Sequence, residues 1–216
     1  MSDFIYAPPP DAPRILHLDD DLLVVDKPAG LLSVPGRGED KADCLISRLR
    51  VAHPGVLLVH RLDLDTSGVV VFALTPEAQV HLGQQFEARK TQKRYIALVE
   101  GHPQGDTGRV DLPLIVDWPN RPRQMVDMEN GRPAQTDWKV VRHEGDHTRM
   151  ALKPLTGRTH QLRVHMQALG NPILGDTLYA TGAAAAFPRL MLHAEELRLR
   201  HPVTGAAITF RAPVPF

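Results

Sequence analysis

Apolar residues in this sequence come in short runs broken by turn residues, and that pattern limits the fold more than any other feature. Val69–Leu74 is among the longest runs, far below the roughly 20 apolar residues of a membrane-spanning helix. Ile15–Leu18 and Leu22–Asp26 flank Asp19-Asp20-Asp21 and read as a hairpin. Ala134–Arg142 and Thr148–Pro154 alternate around Gly145-Asp146 and read as another. Leu190–Arg200 and Ala207–Phe210 form a last hairpin across Pro202–Gly205. Further strands are predicted at Val56–Val59, Val69–Leu74, Arg94–Val99 and Val110–Val116, with loops over Leu31–Gly38 and Asp117–Pro122.

Helices are few. Asp43–Val51 is a short one with Asp43 as its predicted N-cap. Thr75 caps a second, with Pro76 at its first position and Ala78, Leu82 and Phe86 along one stripe. The third runs over about His160–Leu169, with Leu162, Met166 and Leu169 inward and Gly170 at its end. Many hairpins and few helices predict an α+β fold, a mostly antiparallel mixed sheet with flanking helices. The 216 residues suit a single domain over residues 14–216. An extended tail over residues 1–13 precedes it, where Pro8, Pro9 and Pro10 favour polyproline II.

Lys plus Arg number 25 and Asp plus Glu number 25, so a polybasic protein is excluded and any polyanion must meet local positive charge. The single cysteine, Cys44, excludes a disulfide framework and a four-thiolate zinc site within one chain. The beginning MSDFIYAPPPDAP is not a signal peptide. A soluble, cytoplasmic, globular protein is expected.

His143-Glu144-Gly145-Asp146-His147 matches the H-E-x-x-H string of zinc proteases. That chemistry needs both imidazoles one helical turn apart, and Gly-Asp between two β-type runs predicts an exposed polar turn instead. His60-Arg61-Leu62-Asp63 resembles a scrambled kinase loop, without a Gly-rich phosphate loop. His160 and His165 would stand about 140° apart on a helix and cannot share a metal. No metal site is predicted.

Asp63 follows one apolar run and precedes Asp65-Thr66-Ser67-Gly68, a turn into another. A carboxylate at such a place is costly unless paired. In extended chain Arg61 and Asp63 face one way, His60 and Leu62 the other. These residues alone leave Asp63 either a reactive carboxylate or an acceptor for turn amides. Positive charge gathers at Arg89, Lys90, Lys93 and Arg94, ending at Tyr95. It gathers again at Arg121 and Arg123 beside Trp118, and at Arg158 and Arg163. Basic clusters beside aromatics are a nucleic-acid footprint. For Arg89 and Lys90 a solvated helix end is the equal alternative.

His60-Arg61-Leu62-Asp63-Leu64-Asp65-Thr66-Ser67-Gly68 resembles the H-R-L-D-x-x-T-S-G signature of the RluA family of pseudouridine synthases. Asp26-Lys27-Pro28-Ala29-Gly30-Leu31, Lys93-Arg94-Tyr95-Ile96-Ala97 and Thr156–His165 resemble further family motifs in family order, the last continued by Asn171–Asp176. The resemblance covers residues 15–212, in the compact subgroup expected to lack an S4-type domain. It implies a pseudouridine synthase fold with a central active-site cleft. It also implies an enzyme that isomerises uridine in structured RNA, tRNA and/or 23S rRNA, without cofactor or metal.

By the same resemblance Asp63 is the essential carboxylate, Arg163 its ion-pair partner, and Tyr95 the residue that stacks on uracil and is placed for the final C5 proton. Arg61 fills the space left by the flipped nucleotide. Arg158, His160, Arg89, Lys93, Arg121 and Arg123 contact substrate. A monomer acting on RNA, not DNA or membrane, is implied. Two other classes stay in view: a catalytically silent RNA-binding protein of this fold, and a zinc hydrolase built on His143 and His147.

Overall fold

The computed structural model describes residues 5–216. The elements in chain order are β1 (Arg14–Leu18), β2 (Leu22–Lys27), α1 (Leu45–Ala52), β3 (Leu57–Leu58), β4 (Ser67–Ala73), α2 (Pro76–Glu87), β5 (Gln92–Glu100), β6 (Thr107–Asp111), β7 (Leu114–Val116), β8 (Gln124–Val126), β9 (Gln135–Glu144), β10 (His147–Pro154), α3 (Gln161–Ala168), α4 (Gly182–Ala185), β11 (Leu192–Arg200) and β12 (Ala207–Arg211). Two compact units emerge. One holds Met1–Thr91 with Glu196–Pro213, the other Gln92–Glu195 with Val214–Phe216. The architecture is α+β and largely antiparallel, as the hairpins predict.

In the first unit β2 pairs with β1 on one side and β4 on the other, β3 adds to β4, and β12 pairs with the last residues of β11, all antiparallel. β4 is buried at every position, which is why it reads as a continuous apolar run rather than an alternating one. The core joins Leu22, Val24, Val69 and Val71 to Ala78 and Leu82 of α2, with Phe86 partly buried beside them. Thr75 caps α2 by accepting from the Ala78 amide at 3.2 Å, as expected. The N-cap of α1 is not Asp43 but Cys44, paired with Ser47 in a capping box. Asp43 instead takes both arms of Arg48, at 2.7 and 2.7 Å, a partner five residues on that competes for its carboxylate.

Of the predicted tail, residues 1–4 lie outside the described residues. The rest carries no helix or strand up to Arg14, yet it is anchored. The Tyr6 hydroxyl donates to Asp43 O at 2.8 Å and accepts from the Leu32 amide at 3.0 Å.

In the second unit β10 pairs with β5 and β9, and β6 pairs with β9. The core gathers Ala97, Val99, Met150, Leu152, Leu162, Met166 and Ile173. The predicted strand Val110–Val116 is two strands, because Pro113 cannot donate to a ladder. Its second half, β7, pairs with β8 in a separate two-stranded ribbon. The H-E-x-x-H string spans the β9–β10 turn, with Gly145 at φ 63°. His143 and His147 therefore sit on neighbouring strands. Among the described residues no helix is long and apolar enough to cross a membrane.

Candidate active site

Asp63 stands in the loop between β3 and β4. Leu62 is buried, Arg61 exposed and Asp63 half-buried, the alternation expected for a chain whose apolar side chain turns inward. Thr66 donates its amide to Asp63 O at 3.2 Å. His60, at the start of the loop, accepts from the Val71 amide at 3.1 Å on Nε2 and stacks on Phe86 at 4.6 Å.

Lys27 fastens this loop from beneath. It is fully buried, and its Nζ donates to the carbonyls of Pro28 at 2.9 Å, Leu31 at 2.6 Å and Leu64 at 2.8 Å. An ammonium has three donors, so these carbonyls can use all of them. A buried cation is tolerated only with such partners. Gly30 donates to the same Leu64 carbonyl at 3.0 Å, from φ 76°. Ser33 adds a second tie, its hydroxyl donating to Leu62 O at 2.7 Å and accepting from Leu62 N at 3.2 Å. Ser33 thus holds the backbone just before Asp63, and the Lys-Pro-x-Gly-Leu segment the backbone just after it. The segment's sequence signal was visible as a motif, but not Lys27's part in it.

In the second unit, α3 departs from the predicted single stripe. Gln161, Leu162, Arg163, Val164, His165 and Met166 are all buried. The polar ones are paired in a chain. Thr156 Oγ1 donates to Gln161 Oε1 at 2.6 Å, and Gln161 Nε2 donates to Gln135 O at 2.9 Å and Thr136 Oγ1 at 3.0 Å. His165 reaches Thr136 Oγ1 at 2.9 Å with Nδ1 and Leu112 O at 3.0 Å with Nε2. A carbonyl can only accept, so Nε2 carries the proton and Nδ1 accepts from the Thr136 hydroxyl. Burial pushes the His165 pKa down, in keeping with a neutral ring.

Arg163 forks onto Asp176, Nε to Oδ2 at 2.7 Å and Nη2 to Oδ1 at 2.7 Å, with the pair 4% and 0% exposed. Oδ1 also accepts from the amides of Leu178 at 3.0 Å and Tyr179 at 3.1 Å. Gly175 lets the chain turn there: a Cβ would lie 1.7 Å from Arg189 O. Tyr179 is a meeting point. Its hydroxyl accepts from the Gln124 amide at 2.7 Å and bonds His160 Nδ1 at 2.7 Å. Arg163 and Arg123 lie over its ring at 5.1 and 5.2 Å. Burial, chiefly, raises its pKa, which keeps the phenol neutral.

Three predicted residues, His160, Arg163 and Arg123, therefore converge on a side chain that no sequence motif marks. Asp176 lies within the Asn171–Asp176 motif; Tyr179 carries no sequence signal of its own. Tyr95 is half-buried on β5, opposite Leu152. Lys93 donates to Thr156 O at 3.3 Å, and Arg158 to Pro133 O at 3.2 Å. Arg121 lies over Trp118, 4.5 Å from the ring centroid. Arg89 is exposed just past the end of α2.

The family model described as RNA pseudouridylate synthase matches residues 21–168. The chain is 54% identical over 212 residues to "Dual-specificity RNA pseudouridine synthase RluA" of Escherichia coli (strain K12), covering 96% of this chain and 97% of that protein. The protein of the same name from Pasteurella multocida (strain Pm70) is 49% identical over 219 residues, covering 100% of both. Among solved structures, "Human RNA Pseudouridylate Synthase Domain Containing 1" matches with a TM-score of 0.80 at 32% identity, over 97% of this chain and 87% of that one. With its motif loops held as described and its whole length matched, the chain belongs to the RluA family of RNA pseudouridine synthases.

Proposed function

We propose that this enzyme isomerises specific uridines to pseudouridine in stem-loops of tRNA and 23S rRNA, with Asp63 as the essential carboxylate. The observation that carries the reading is the buried Lys27 ammonium on the carbonyls of Pro28, Leu31 and Leu64. It places the Asp63 loop on a fixed support, as a reacting group requires. The dual specificity for RNA named for the 54% identical relative supports a reading with two RNA substrates.

The reaction breaks C1′–N1, turns the uracil over and forms C1′–C5. The C5 proton leaves and N1 ends protonated, so no atom is gained or lost. A hydrolytic glycosidase uses two carboxylates because water must be activated. Here the leaving base returns, and one ionised carboxylate near C1′ suffices, as nucleophile or as base. Arg163 supplies counter-charge to Asp63, which favours the ionised form. Tyr95 stacks on the uracil and is placed for the C5 proton. The target nucleotide leaves its stack, and Arg61 occupies the gap. Arg158, His160, Arg89, Lys93, Arg121 and Arg123 hold the RNA, chiefly through phosphates. The enzyme works as a cytoplasmic monomer, without cofactor or metal.

Asp63→Asn tests this directly. The amide keeps the shape but cannot attack C1′ or take a proton. Pseudouridine formation should fall to background on both RNAs while RNA binding persists. Turnover near the wild-type rate would remove Asp63 from the mechanism.

A further inference from the structure

We propose that the tip of the β7–β8 ribbon is a stacking platform for an unpaired nucleobase of the substrate RNA other than the target uridine, with Trp118 as its floor and Arg121 as its cationic wall. The inference rests on the function proposed above and adds a second recognition point to it.

The chain has two tryptophans, and they are treated in opposite ways. Trp138 is packed in the core at 6% exposure, whereas Trp118 is 64% exposed. An indole left in water forfeits a large burial term, so its position calls for a ligand. The same ribbon exposes Met125 at 41%. Arg121 lies over the Trp118 ring, 4.5 Å from its centroid. Among the described residues no carboxylate lies within salt-bridge distance of Arg121. The loop's own acid and the one just past β8 are engaged elsewhere. Asp117 takes the Asn120 amide on both oxygens at 3.0 and 3.0 Å, and Asp127 takes the amides of Glu129 and Asn130 at 2.9 and 2.9 Å.

The tip is also built, not loose. Asp117 N donates to Arg123 O at 3.0 Å, Asn120 N to Asp117 O at 3.0 Å, and Arg123 N to Asn120 O at 3.0 Å. Beneath it, the ribbon is paired from Leu114↔Val126 to Val116↔Gln124. Its root is tied to the site, because the amide held by the Tyr179 hydroxyl belongs to Gln124. A preorganised exposed indole beside a guanidinium free of carboxylates selects an aromatic ligand that carries negative charge. A nucleotide satisfies both conditions; an apolar peptide satisfies only the first.

Fluorescence titration with an unmodified tRNA anticodon stem-loop reads the platform independently of catalysis. Tryptophan emission of the wild type should be quenched on binding, and Trp118→Phe should abolish the quench while keeping affinity within about twofold. Trp118→Ala should bind about tenfold more weakly, as for loss of one base stack. The loss in steady-state assays should appear in KM rather than kcat. Replacing one loop nucleotide by an abasic one should reproduce the Trp118→Ala loss and add nothing to it in the double change. Unquenched wild-type emission with unaltered Trp118→Ala affinity would overturn the platform, even if the enzyme makes pseudouridine normally. So would a change of oligomeric state in Trp118→Ala with RNA affinity intact, which would make the patch a self-association surface. A wild type that binds with quenching but makes no pseudouridine would leave the platform standing and sink the proposed function.

Discussion

Two helix ends, one in each unit, carry the only non-glycine residues at positive φ among the described residues: Arg89 at φ 55° and His160 at φ 53°. Arg89 follows α2, where its amide reaches Phe86 O at 3.1 Å and that of Lys90 reaches Gln85 O at 2.8 Å. This is the Schellman closure, at a position glycine usually fills. His160 precedes α3, and its ring is held by Tyr179 at 2.7 Å. Left-handed backbone costs a residue with a Cβ about 1–2 kcal/mol. At His160 a side-chain bond offsets that cost; at Arg89 no side-chain partner is found among the described residues. The difference separates a residue strained because its ring is needed in one place from one whose charge is simply presented to solvent. Both are substrate contacts in the proposed mechanism.

The largest effect should come from the support of the His160 end. Asp176→Asn keeps the shape but removes the charge onto which Arg163 forks. Breaking a buried pair on one side costs about 3–5 kcal/mol, so urea unfolding should show a loss of that size. A loss below about 1 kcal/mol would mean that the α3 network does not depend on this charge.

Glycine at each strained position should then act with opposite sign. Arg89→Gly should raise stability by about 1 kcal/mol and reduce the salt dependence of RNA binding by about 0.7 in log–log slope. His160→Gly gains the same relief but loses a hydrogen bond of about 1 kcal/mol and the edge-to-face contact with Tyr179, also about 1 kcal/mol. It should lower stability by about 1 kcal/mol net. If both substitutions stabilise, the distinction between the two ends disappears.

The smallest effect lies away from both ends. Burial would raise the Asp19 pKa, but hydrogen bonds from His17, the Asp21 and Leu22 amides and His201 outweigh it and lower it from 3.8 to about 2. A depressed carboxylate contributes stability above its unfolded pKa and loses it as pH falls through the folded one. Asp19→Asn should therefore flatten the acid limb of stability between about pH 4 and pH 2. Acid unfolding followed by circular dichroism, with an unchanged limb in the variant, would place the acid sensitivity elsewhere.

Local rules made much of this molecule legible in its sequence. Turn residues between short apolar runs are enough to define the hairpins, because strand pairing across a tight turn is a local event. Thr75-Pro76 starts α2 for reasons confined to four residues. The loop carrying Asp63 was recognisable as a string, and with it the family. Where local rules misled, a nearby competitor was the cause: Arg48 took Asp43 from the cap, and Pro113 cut a strand in two.

What tertiary structure decided rests on partners far apart in sequence. Lys27 meets Leu64 across 37 residues, Gln161 meets Gln135 across 26, and His165 meets Leu112 across 53. A lysine, a glutamine and a histidine read as surface residues until such partners are known, because only paired polar groups can be buried. The same holds for the two tryptophans. The sequence puts Trp118 in a basic loop and Trp138 in an alternating strand, but how completely each ring is covered depends on whether another layer of the fold comes to rest on it.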